Sequence, residues 1–416
     1  MSDTIRLSIA ERQLDTGLTL LAVHNPRVQT YACVVSLEVR PGDEPADKSG
    51  LANLVGACLD EGTKHYEALE LAAAAEGVGA MLDGNHRGGV VMCPATSQKE
   101  ATALLREMVL EPEFPGREVR RVQAEVATEI KAEDDDPRAV AARRFRKEVY
   151  GDHPLGRPTQ GTKHSVARLK PKDLREYHAT WFRPADGYIA AAGPEEPERT
   201  LDRLEKAFGK FRGKAQKHVS SPALDLAASG RDAHIPMARE QVHVYLGHLG
   251  IKRTHPDFYV LSVMDHILGT GPGFTSRCSR KLRDEQGLCY AVSAGITASA
   301  GEESGTFTAY IGTSPEHRQK AVDGFLAEIA RIRSEVPSAQ ELQDVKDYLT
   351  GSFVFGLERN SNLAAYAIRA RRFELGFDFV ERYPDLVRAV TAEQVREAAE
   401  RHLHPERLAV VSAGAS

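Results

Sequence analysis

Residues 166–193 read VARLKPKDLREYHATWFRPADGYIAAAG, and this stretch decides the fold because its pattern recurs near the end of the chain. It aligns without gaps to residues 387–414, VRAVTAEQVREAAERHLHPERLAVVSAG. Both copies carry an Arg-Glu pair in an amphipathic segment, then a proline, then an apolar run that ends in Ala-Gly. The pattern predicts a helix followed by a short buried strand, and its recurrence indicates a duplicated chain.

A second echo supports the duplication. Thr-Ser occurs at 96–97 and again at 313–314, and each time it ends a predicted strand and opens a predicted helix. The separation of these pairs is nearly that of the two longer copies, which favours duplication over chance. Residues 213–232 are polar and carry glycine, serine and alanine, a composition typical of a linker. We therefore predict an N-terminal half at residues 1–212 and a C-terminal half at residues 233–416.

Each half groups its predicted strands and helices instead of alternating them. In the first half, strands at 14–23 and 31–39 precede an amphipathic helix at 50–60, and long charged helices follow at 117–131 and 137–150. Such grouping indicates antiparallel sheets, because alternating strand and helix would predict a parallel sheet. The predicted fold class is α+β, with two homologous halves, each a mainly antiparallel sheet with helices packed on one face.

The composition excludes several kinds of partner. The chain has 416 residues and a net charge of −5, which gives no electrostatic reason to expect nucleic acid or an anionic membrane as a partner. Its five cysteines form no CxxC pair and lie mostly in apolar runs, as reduced core thiols do. The first residues lack the pattern of a signal peptide, and no apolar run is long enough to span a membrane. We expect a cytoplasmic protein.

Residues 268–290, LGTGPGFTSRCSRKLRDEQGLCY, form the most distinctive stretch of the second half. Its first part is a glycine-rich loop, and a basic helix is predicted at 276–285 with a strand after it. The loop is a poor phosphate cradle, because it follows a predicted helix and has no Lys-Ser or Lys-Thr after it. The loop glycines are Gly269, Gly271 and Gly273.

Arg283 and Tyr290 flank the predicted end of this helix. A guanidinium and a phenol placed there could converge on one peptide carbonyl or carboxylate, which would make a binding device and not a catalytic one. The alternative is structural: an arginine late in a helix can answer the helix dipole, and a tyrosine that opens a strand can be a packing residue.

These features resemble the pitrilysin-type (insulinase-type) zinc peptidases, a family that includes the mitochondrial processing peptidases and the respiratory-complex core proteins. In that family a glycine-rich loop precedes Ser-Arg, a helix, and then an Arg and a Tyr at the spacing of Arg283 and Tyr290. The resemblance implies a pair of like α+β domains. It also implies that Arg283 and Tyr290 hold the substrate peptide from the half opposite the zinc. The first-half matches are Gly50-Leu51-Ala52, Glu61-Gly62-Thr63, Asp136-Pro137, and the run 150–158 with Gly161.

The family's catalytic signature, H-x-x-E-H, is absent. The resemblance places Asn53, Gly56 and Ala57 at its three functional positions, and none of these side chains can bind zinc or accept a proton. The three positions share one helix face, so we expect the face of the site to persist without its chemistry. The match to the third zinc ligand is Glu129, a lone carboxylate on an acidic helix that is more typical of a solvated surface.

No other catalytic set replaces the lost one. None of the fifteen histidines lies in HExxH or HxxEH, and neither the pair His402 and His404 nor the pair His243 and His248 has an acidic residue placed to complete a ligand set. There is no GxSxG, and no cysteine has a local histidine partner, so a cysteine hydrolase has little support. We expect no metal or other cofactor on this chain, and no peptide hydrolysis by it alone.

The leading hypothesis is a non-catalytic, substrate-binding subunit of a heterodimeric zinc metallopeptidase, resembling the second subunit of the mitochondrial processing peptidases. A homologous H-x-x-E-H subunit would supply the zinc, and this chain would hold the peptide. The alternative is a catalytically inactive scaffold that resembles the respiratory core subunits. The two hypotheses differ in whether Arg283 and Tyr290 are still used.

Overall fold

The computed structural model describes residues 6–213, 216–225 and 231–415. Among these residues, no helix combines the length and the apolar composition needed to cross a bilayer. The first-half strands are β1 (Ser8–Gln13), β2 (Thr19–His24), β3 (Thr30–Ser36), β4 (Met81–Asn85), β5 (Gly88–Pro94) and β6 (Tyr188–Gly193). The helices of this half are α1 (Leu51–Ala57), α2 (Ala68–Gly77), α3 (Gln98–Leu110), α4 (Gly116–Asp134), α5 (Pro137–Tyr150), α6 (Lys163–Arg168), α7 (Pro171–Trp181) and α8 (Pro197–Phe208).

The second half follows the same plan. Its strands are β7 (Asp232–Pro236), β8 (Val242–Leu249), β9 (Cys289–Gly295), β10 (Thr306–Thr313) and β11 (Ala409–Gly414). Its helices are α9 (Phe258–Asp265), α10 (Arg318–Ser334), α11 (Ala339–Ser352), α12 (Asn360–Arg372), α13 (Phe379–Arg388) and α14 (Ala392–His402). Two further segments, His266–Thr270 and Ser279–Glu285, are π-helical.

Apart from the additional edge strand β1 in the first sheet, the two sheets share one topology, which confirms the predicted duplication. The first sheet has the order β1-β2-β6-β3-β5-β4 and the second has β7-β11-β8-β10-β9. In both, a single parallel pair, β2 with β6 or β7 with β11, sits among antiparallel pairs. The repeated segments form the same elements, α7 and β6 in the first half and α14 and β11 in the second. The α+β class and the mainly antiparallel sheets are as predicted.

Helices cover both faces of the first sheet, whereas the sequence led us to expect them on one face. Leu20 on β2 belongs to the large core that the sheet shares with α1, α3 and α8. Its neighbour Leu21 points to the opposite face, as successive strand residues must, and packs with Leu363 and Ala367 of α12. The expectation of a single covered face is therefore incomplete, because α12 comes from the second half of the chain.

The second sheet has the reciprocal arrangement. Leu246 on β8 belongs to the core that α9 and α10 share, while Tyr245 points the other way. That other face is covered by α5 from the first half, through Phe145 and Val149. The compact units are therefore not the contiguous halves 1–212 and 233–416. One comprises Met1–Lys131, Pro158–Ser220 and Val354–Glu381, and the other comprises Ala132–Arg157, Ser221–Phe353 and Arg382–Ser416.

The predicted linker, 213–232, is only partly described, since residues 214–215 and 226–230 lie outside the described part. Residues 216–225 have no regular secondary structure, as a linker should. They are nevertheless held in place: Nδ1 of His218 lies 2.8 Å from a carboxylate oxygen of the buried Asp43. The indole of Trp181 also stacks on the His218 ring, with centroids 5.5 Å apart. The linker ends before Asp232, which opens β7.

Replacing Phe145 with alanine tests the placement of α5. The Phe145 side chain is 2% exposed, so Phe145→Ala should lower the free energy of unfolding by about 3–5 kcal/mol, as large-to-small changes in cores do. Urea unfolding followed by circular dichroism measures the loss. Arg146→Ala alters an exposed neighbour on the same helix and should cost less than about 1 kcal/mol. Equal small losses in both variants would show that α5 is not part of this core.

Candidate functional site

The structure brings Arg283 and Tyr290 together. Arg283 lies in the π-helical segment Ser279–Glu285, and Tyr290 is the second residue of β9. The turn between them depends on Gly287, which has φ of 63° and donates its N–H to the Arg283 carbonyl over 3.0 Å. A positive φ of this kind favours glycine, so Gly287 gives the end of this segment a clear backbone cause.

The two side chains form a cation–π pair. The guanidinium carbon of Arg283 lies 5.7 Å from the centroid of the Tyr290 ring, within the usual range for this interaction. Tyr290 is 82% exposed, so it is not the half-buried packing residue that the alternative interpretation required. The Arg283 side chain is 24% exposed, with one guanidinium nitrogen 3.5 Å from the Asp284 carboxylate. The pair therefore presents donor groups at the surface of the unit.

A buried ion pair anchors the segment that carries Arg283. Arg277 is 4% exposed and donates two hydrogen bonds to the Glu341 carboxylate, at 3.0 and 3.2 Å. Arg280 donates a third, at 2.8 Å. Burial alone would raise the pKa of Glu341, but the hydrogen bonds from Arg277 and Ser338 outweigh it and lower that pKa to about 2. Glu341 is therefore ionised at any ordinary pH, and the anchor does not depend on pH.

The three glycines of the predicted loop have different roles. Gly269 lies in the segment His266–Thr270, and a Cβ there would be only 2.2 Å from the backbone nitrogen of Ala294 on β9. A Cβ on Gly271 would be 2.6 Å from the His266 carbonyl oxygen. Only Gly273 has positive φ, at 59°. Gly269 and Gly271 therefore allow close contacts between backbone segments. The stretch does not form a phosphate-binding loop at the N-terminus of a helix.

Asp265 fixes the far end of β9. It ends α9, is 2% exposed, and accepts hydrogen bonds from the backbone N–H groups of Ile296 and Thr297, both at 2.9 Å. The Thr297 hydroxyl adds a third bond at 2.6 Å. Burial raises the pKa of Asp265 to about 6, although these hydrogen bonds oppose the shift. No local sequence pattern indicates this contact, because its partners lie about thirty residues further along the chain.

The lost zinc signature lies on α1, and its face is closed. Asn53 and Ala57 are half-buried, while Gly56 is fully buried. A Cβ on Gly56 would come within 2.5 Å of the backbone of Asn85 and His86, at the end of β4. At position 56 the face has therefore not kept its space, because a backbone segment occupies the volume that the central glutamate would need, whereas Asn53 and Ala57 remain partly accessible.

Glu129 lies on α4 and is exposed, as expected for a solvated carboxylate. It accepts a long hydrogen bond, 3.5 Å, from the side-chain amide of Gln160. Neither contact nor burial marks it as a metal ligand.

A cavity of about 1130 Å³ lies elsewhere in the first compact unit. Its lining comes from residues 60–67, α2, the start of β4 and the start of α4, and it includes none of the three signature positions on α1. Leu69 and Met81 expose 85% and 68% of their surface at this cavity. Arg121 and Glu61, which also line the cavity, form an ion pair. Sequence reasoning missed the cavity, because the exposure of single apolar residues cannot be read from a helical pattern.

The cysteines are not activated nucleophiles. All five are free thiols, and four are buried. Burial raises the pKa of Cys33 to about 12 and that of Cys93 to about 11. Even at Cys289, where Arg283 acts in the opposite direction, burial raises the pKa to about 11. These thiols are protonated near neutral pH, so a cysteine-hydrolase mechanism gains no support.

Gly56→Ala tests the closure of the signature face. The added methyl group meets backbone atoms at 2.5 Å, so the variant should lose about 1–3 kcal/mol of unfolding free energy, despite alanine's better helix propensity. Gly77→Ala is the matched control, since a Cβ there meets no atom within 4 Å and the residue ends α2. Urea unfolding compares the two variants. Stabilisation by both substitutions would show that β4 does not pack on α1.

Comparison with known proteins gives a consistent result over both halves. The family profile described as "Insulinase (Peptidase family M16)" matches residues 20–163, and the one described as "Peptidase M16 inactive domain" matches residues 168–349. The chain is 27% identical over 419 residues to the "Uncharacterized zinc protease Rv2782c" of Mycobacterium tuberculosis, covering 95% of this chain and 90% of that protein. It is 26% identical over 326 residues to the "Non-peptidase homolog YmxG" of Helicobacter pylori, covering 76% and 74%.

Solved structures show the same fold. A peptidase M16 inactive domain from Pseudomonas fluorescens superimposes with a TM-score of 0.89 at 23% identity, covering 99% of both chains. A protease from Helicobacter pylori superimposes with a TM-score of 0.89 at 17% identity, covering 98% of this chain and 99% of that one. The two profiles match both halves, and the similarity in fold extends over nearly the whole chain. The chain belongs to peptidase family M16, the insulinase family.

Proposed function

We propose that this chain is the non-catalytic, peptide-binding subunit of a zinc peptidase built from two homologous chains. The observation that carries the proposal is a contrast between two sites. The signature positions on α1 hold Asn53, Gly56 and Ala57, and backbone closes that face. Arg283 and Tyr290 are by contrast paired and presented, with the phenol 82% exposed.

The names of similar proteins support an inactive role. One similar structure is described as an M16 "inactive domain", and one relative is called a "non-peptidase homolog". Other relatives are named uncharacterized zinc proteases. The proposed function requires a homologous partner chain that bears H-x-x-E-H. The free thiols fit the cytoplasmic location that we also propose.

The proposed division of labour follows from what each side chain can do. Zinc in the partner would polarise the scissile carbonyl and activate water. On this chain, the Arg283 guanidinium would donate to a carbonyl or carboxylate of the peptide, and the Tyr290 hydroxyl would donate beside it. The cation–π contact sets the spacing between the two donors, and the buried Arg277–Glu341 pair limits movement of the segment. Holding the peptide in one register relative to the partner's zinc would by itself raise the rate of cleavage.

The alternative is a scaffold that binds its partner and no peptide. The closed face on α1 is equally compatible with it, since a scaffold needs no zinc ligands. The two functions differ at Arg283 and Tyr290, which a scaffold would not use.

Arg283→Ala and Tyr290→Phe separate the two functions. We expect kcat/KM for a fluorogenic peptide, measured with the H-x-x-E-H partner present, to fall about 10- to 150-fold for Arg283→Ala. The lost charge-assisted bond is worth about 1.5–3 kcal/mol, and the neutral bond lost in Tyr290→Phe about 1 kcal/mol, or about fivefold. A rise in KM alone indicates equal binding of the substrate and the transition state, and a fall in kcat indicates tighter binding of the transition state.

Lys281→Ala is the matched control, because it removes another exposed positive charge from the same segment. It should retain full activity, and all three variants should still form the pair with the partner in size-exclusion chromatography. Full activity of both Arg283→Ala and Tyr290→Phe would contradict the peptide-binding role and favour the scaffold.

The chain alone should not cleave peptides, with or without added zinc. The reason is that no residue at the signature positions can activate water, whatever the metal content of the solution. The measurement is cleavage of the same fluorogenic peptide by the purified chain, before and after addition of Zn²⁺ and then of a chelator. Chelator-sensitive cleavage by the chain alone would contradict the proposal.

A further inference from the structure

Two histidines and an aspartate meet in the second compact unit. Asp257 immediately precedes α9, His255 lies two residues before it, and His402 ends α14. Nε2 of His402 lies 2.7 Å from an Asp257 carboxylate oxygen, and the His255 and His402 rings meet edge to face with centroids 4.8 Å apart. One donor atom from each of the three side chains lies within 4.8 Å of the other two.

These donors suit a transition metal. Two imidazoles and one carboxylate form a common ligand set for zinc and for neighbouring first-row ions, whereas calcium and magnesium prefer oxygen ligands. Zinc holds nitrogen and oxygen ligands at about 2.0–2.2 Å in tetrahedral geometry, so two ligands of one ion lie roughly 3.3–3.6 Å apart. The donors observed here lie within 4.8 Å of one another, and side-chain rotation would bring them to that separation. All three side chains are half-buried, so the site is open to solvent ions.

We propose that His255, Asp257 and His402 bind a divalent first-row transition-metal ion such as Zn²⁺. The site shares no residue with the α1 signature or with the Arg283–Tyr290 pair, so it goes beyond the proposed function. The ion would join the start of α9 to the end of α14, two elements that lie far apart in sequence. Its role would be to cross-link this part of the unit and not to activate water for peptide cleavage.

The neighbouring histidines are already committed elsewhere. Nδ1 of His248 lies 2.8 Å from the Leu249 carbonyl oxygen, and its Nε2 accepts the backbone N–H of His404 at 3.0 Å. His248 is therefore held as a structural residue of the core, where it is 0% exposed. His255 accepts a hydrogen bond at Nδ1 from the Asp257 N–H, 3.1 Å, so Nε2 is the ring nitrogen that would bind the metal.

Arg401 is the competitor for the metal. Its guanidinium donates to the same Asp257 oxygen that His402 contacts, at 3.1 and 3.3 Å, and so it supplies a positive charge where the ion would bind. The Arg401 side chain is 53% exposed, so it can turn out to solvent when the ion enters. Removing the guanidinium should therefore strengthen metal binding, whereas a purely structural ion-pair network would gain nothing from its removal.

The test is calorimetric titration of the metal-free, full-length chain with Zn²⁺, and with Ca²⁺ as a separate probe. We expect one Zn²⁺ per chain and no Ca²⁺ binding. His402→Ala and His255→Ala should each weaken Zn²⁺ binding by at least about tenfold. Loss of a residue that only hydrogen-bonds a metal ligand already weakens binding about tenfold, and loss of a ligand itself should weaken it more. Arg401→Ala should tighten it. Zn²⁺ should also raise the melting temperature of the wild type but not of His402→Ala.

His164→Ala is the matched control, because His164 is an exposed histidine outside the cluster. Its Zn²⁺ affinity should equal that of the wild type. Circular dichroism identifies any variant that fails to fold. If the histidine variants fail to fold, the Zn²⁺ affinity of Arg401→Ala, which keeps all three donors, still tests the proposal. Absence of Zn²⁺ binding by the wild type, or an equal loss in His164→Ala and His402→Ala, would overturn the proposal. So would weaker binding in Arg401→Ala.

Discussion

Apolar surface on both faces of each sheet is the constraint on which the rest of the structure depends. In β2, residues from Thr19 to Val23 are all buried, and in β6 every residue from Ile189 to Gly193 is buried. A sheet with such strands at its centre must be covered twice, because every exposed apolar face would cost free energy in proportion to its area. The first half supplies helices for one face only. The exchange of α12 and α5 covers the second apolar face of each sheet. It therefore requires the chain to pass from one compact unit to the other and back.

The sequence could have revealed this constraint, and it does reveal much of the fold. The gapless repeat predicts α7 with β6 and α14 with β11, because helix and strand periods are local properties. The runs TLLAV and YIAAAG lack the alternation of apolar and polar residues that a strand with one solvent-exposed face shows. This absence is a local sign that both faces of the strand are buried. Which helix covers the second face is not local. The charged α5 carries an apolar stripe at Ala141, Phe145 and Val149, but the stripe does not say which sheet it covers.

The candidate sites divide in the same way. The proximity of Arg283 and Tyr290 is predictable because only six residues, with one glycine turn among them, lie between the two. The closure at Gly56 is not, since it depends on a hairpin thirty residues away that approaches backbone to backbone. The cluster of Asp257 with His255 and His402 is even harder to predict from local sequence. A search for an acidic residue near His402 in sequence finds none that completes a ligand set, because the carboxylate arrives with another helix.

The exchange of α12 has a consequence for how the protein is made. During synthesis, β1 to β6 emerge from the ribosome long before α12, and at roughly 5–20 residues per second the delay lasts on the order of ten seconds or more. Throughout that time, one apolar face of the completed sheet has no cover from its own half. Nascent chains in this state offer a broad hydrophobic surface to chaperones and to each other. Packing of α12 from one chain on the sheet of another chain then competes with correct folding. The order of elements thus ties the quality of folding to the speed of translation.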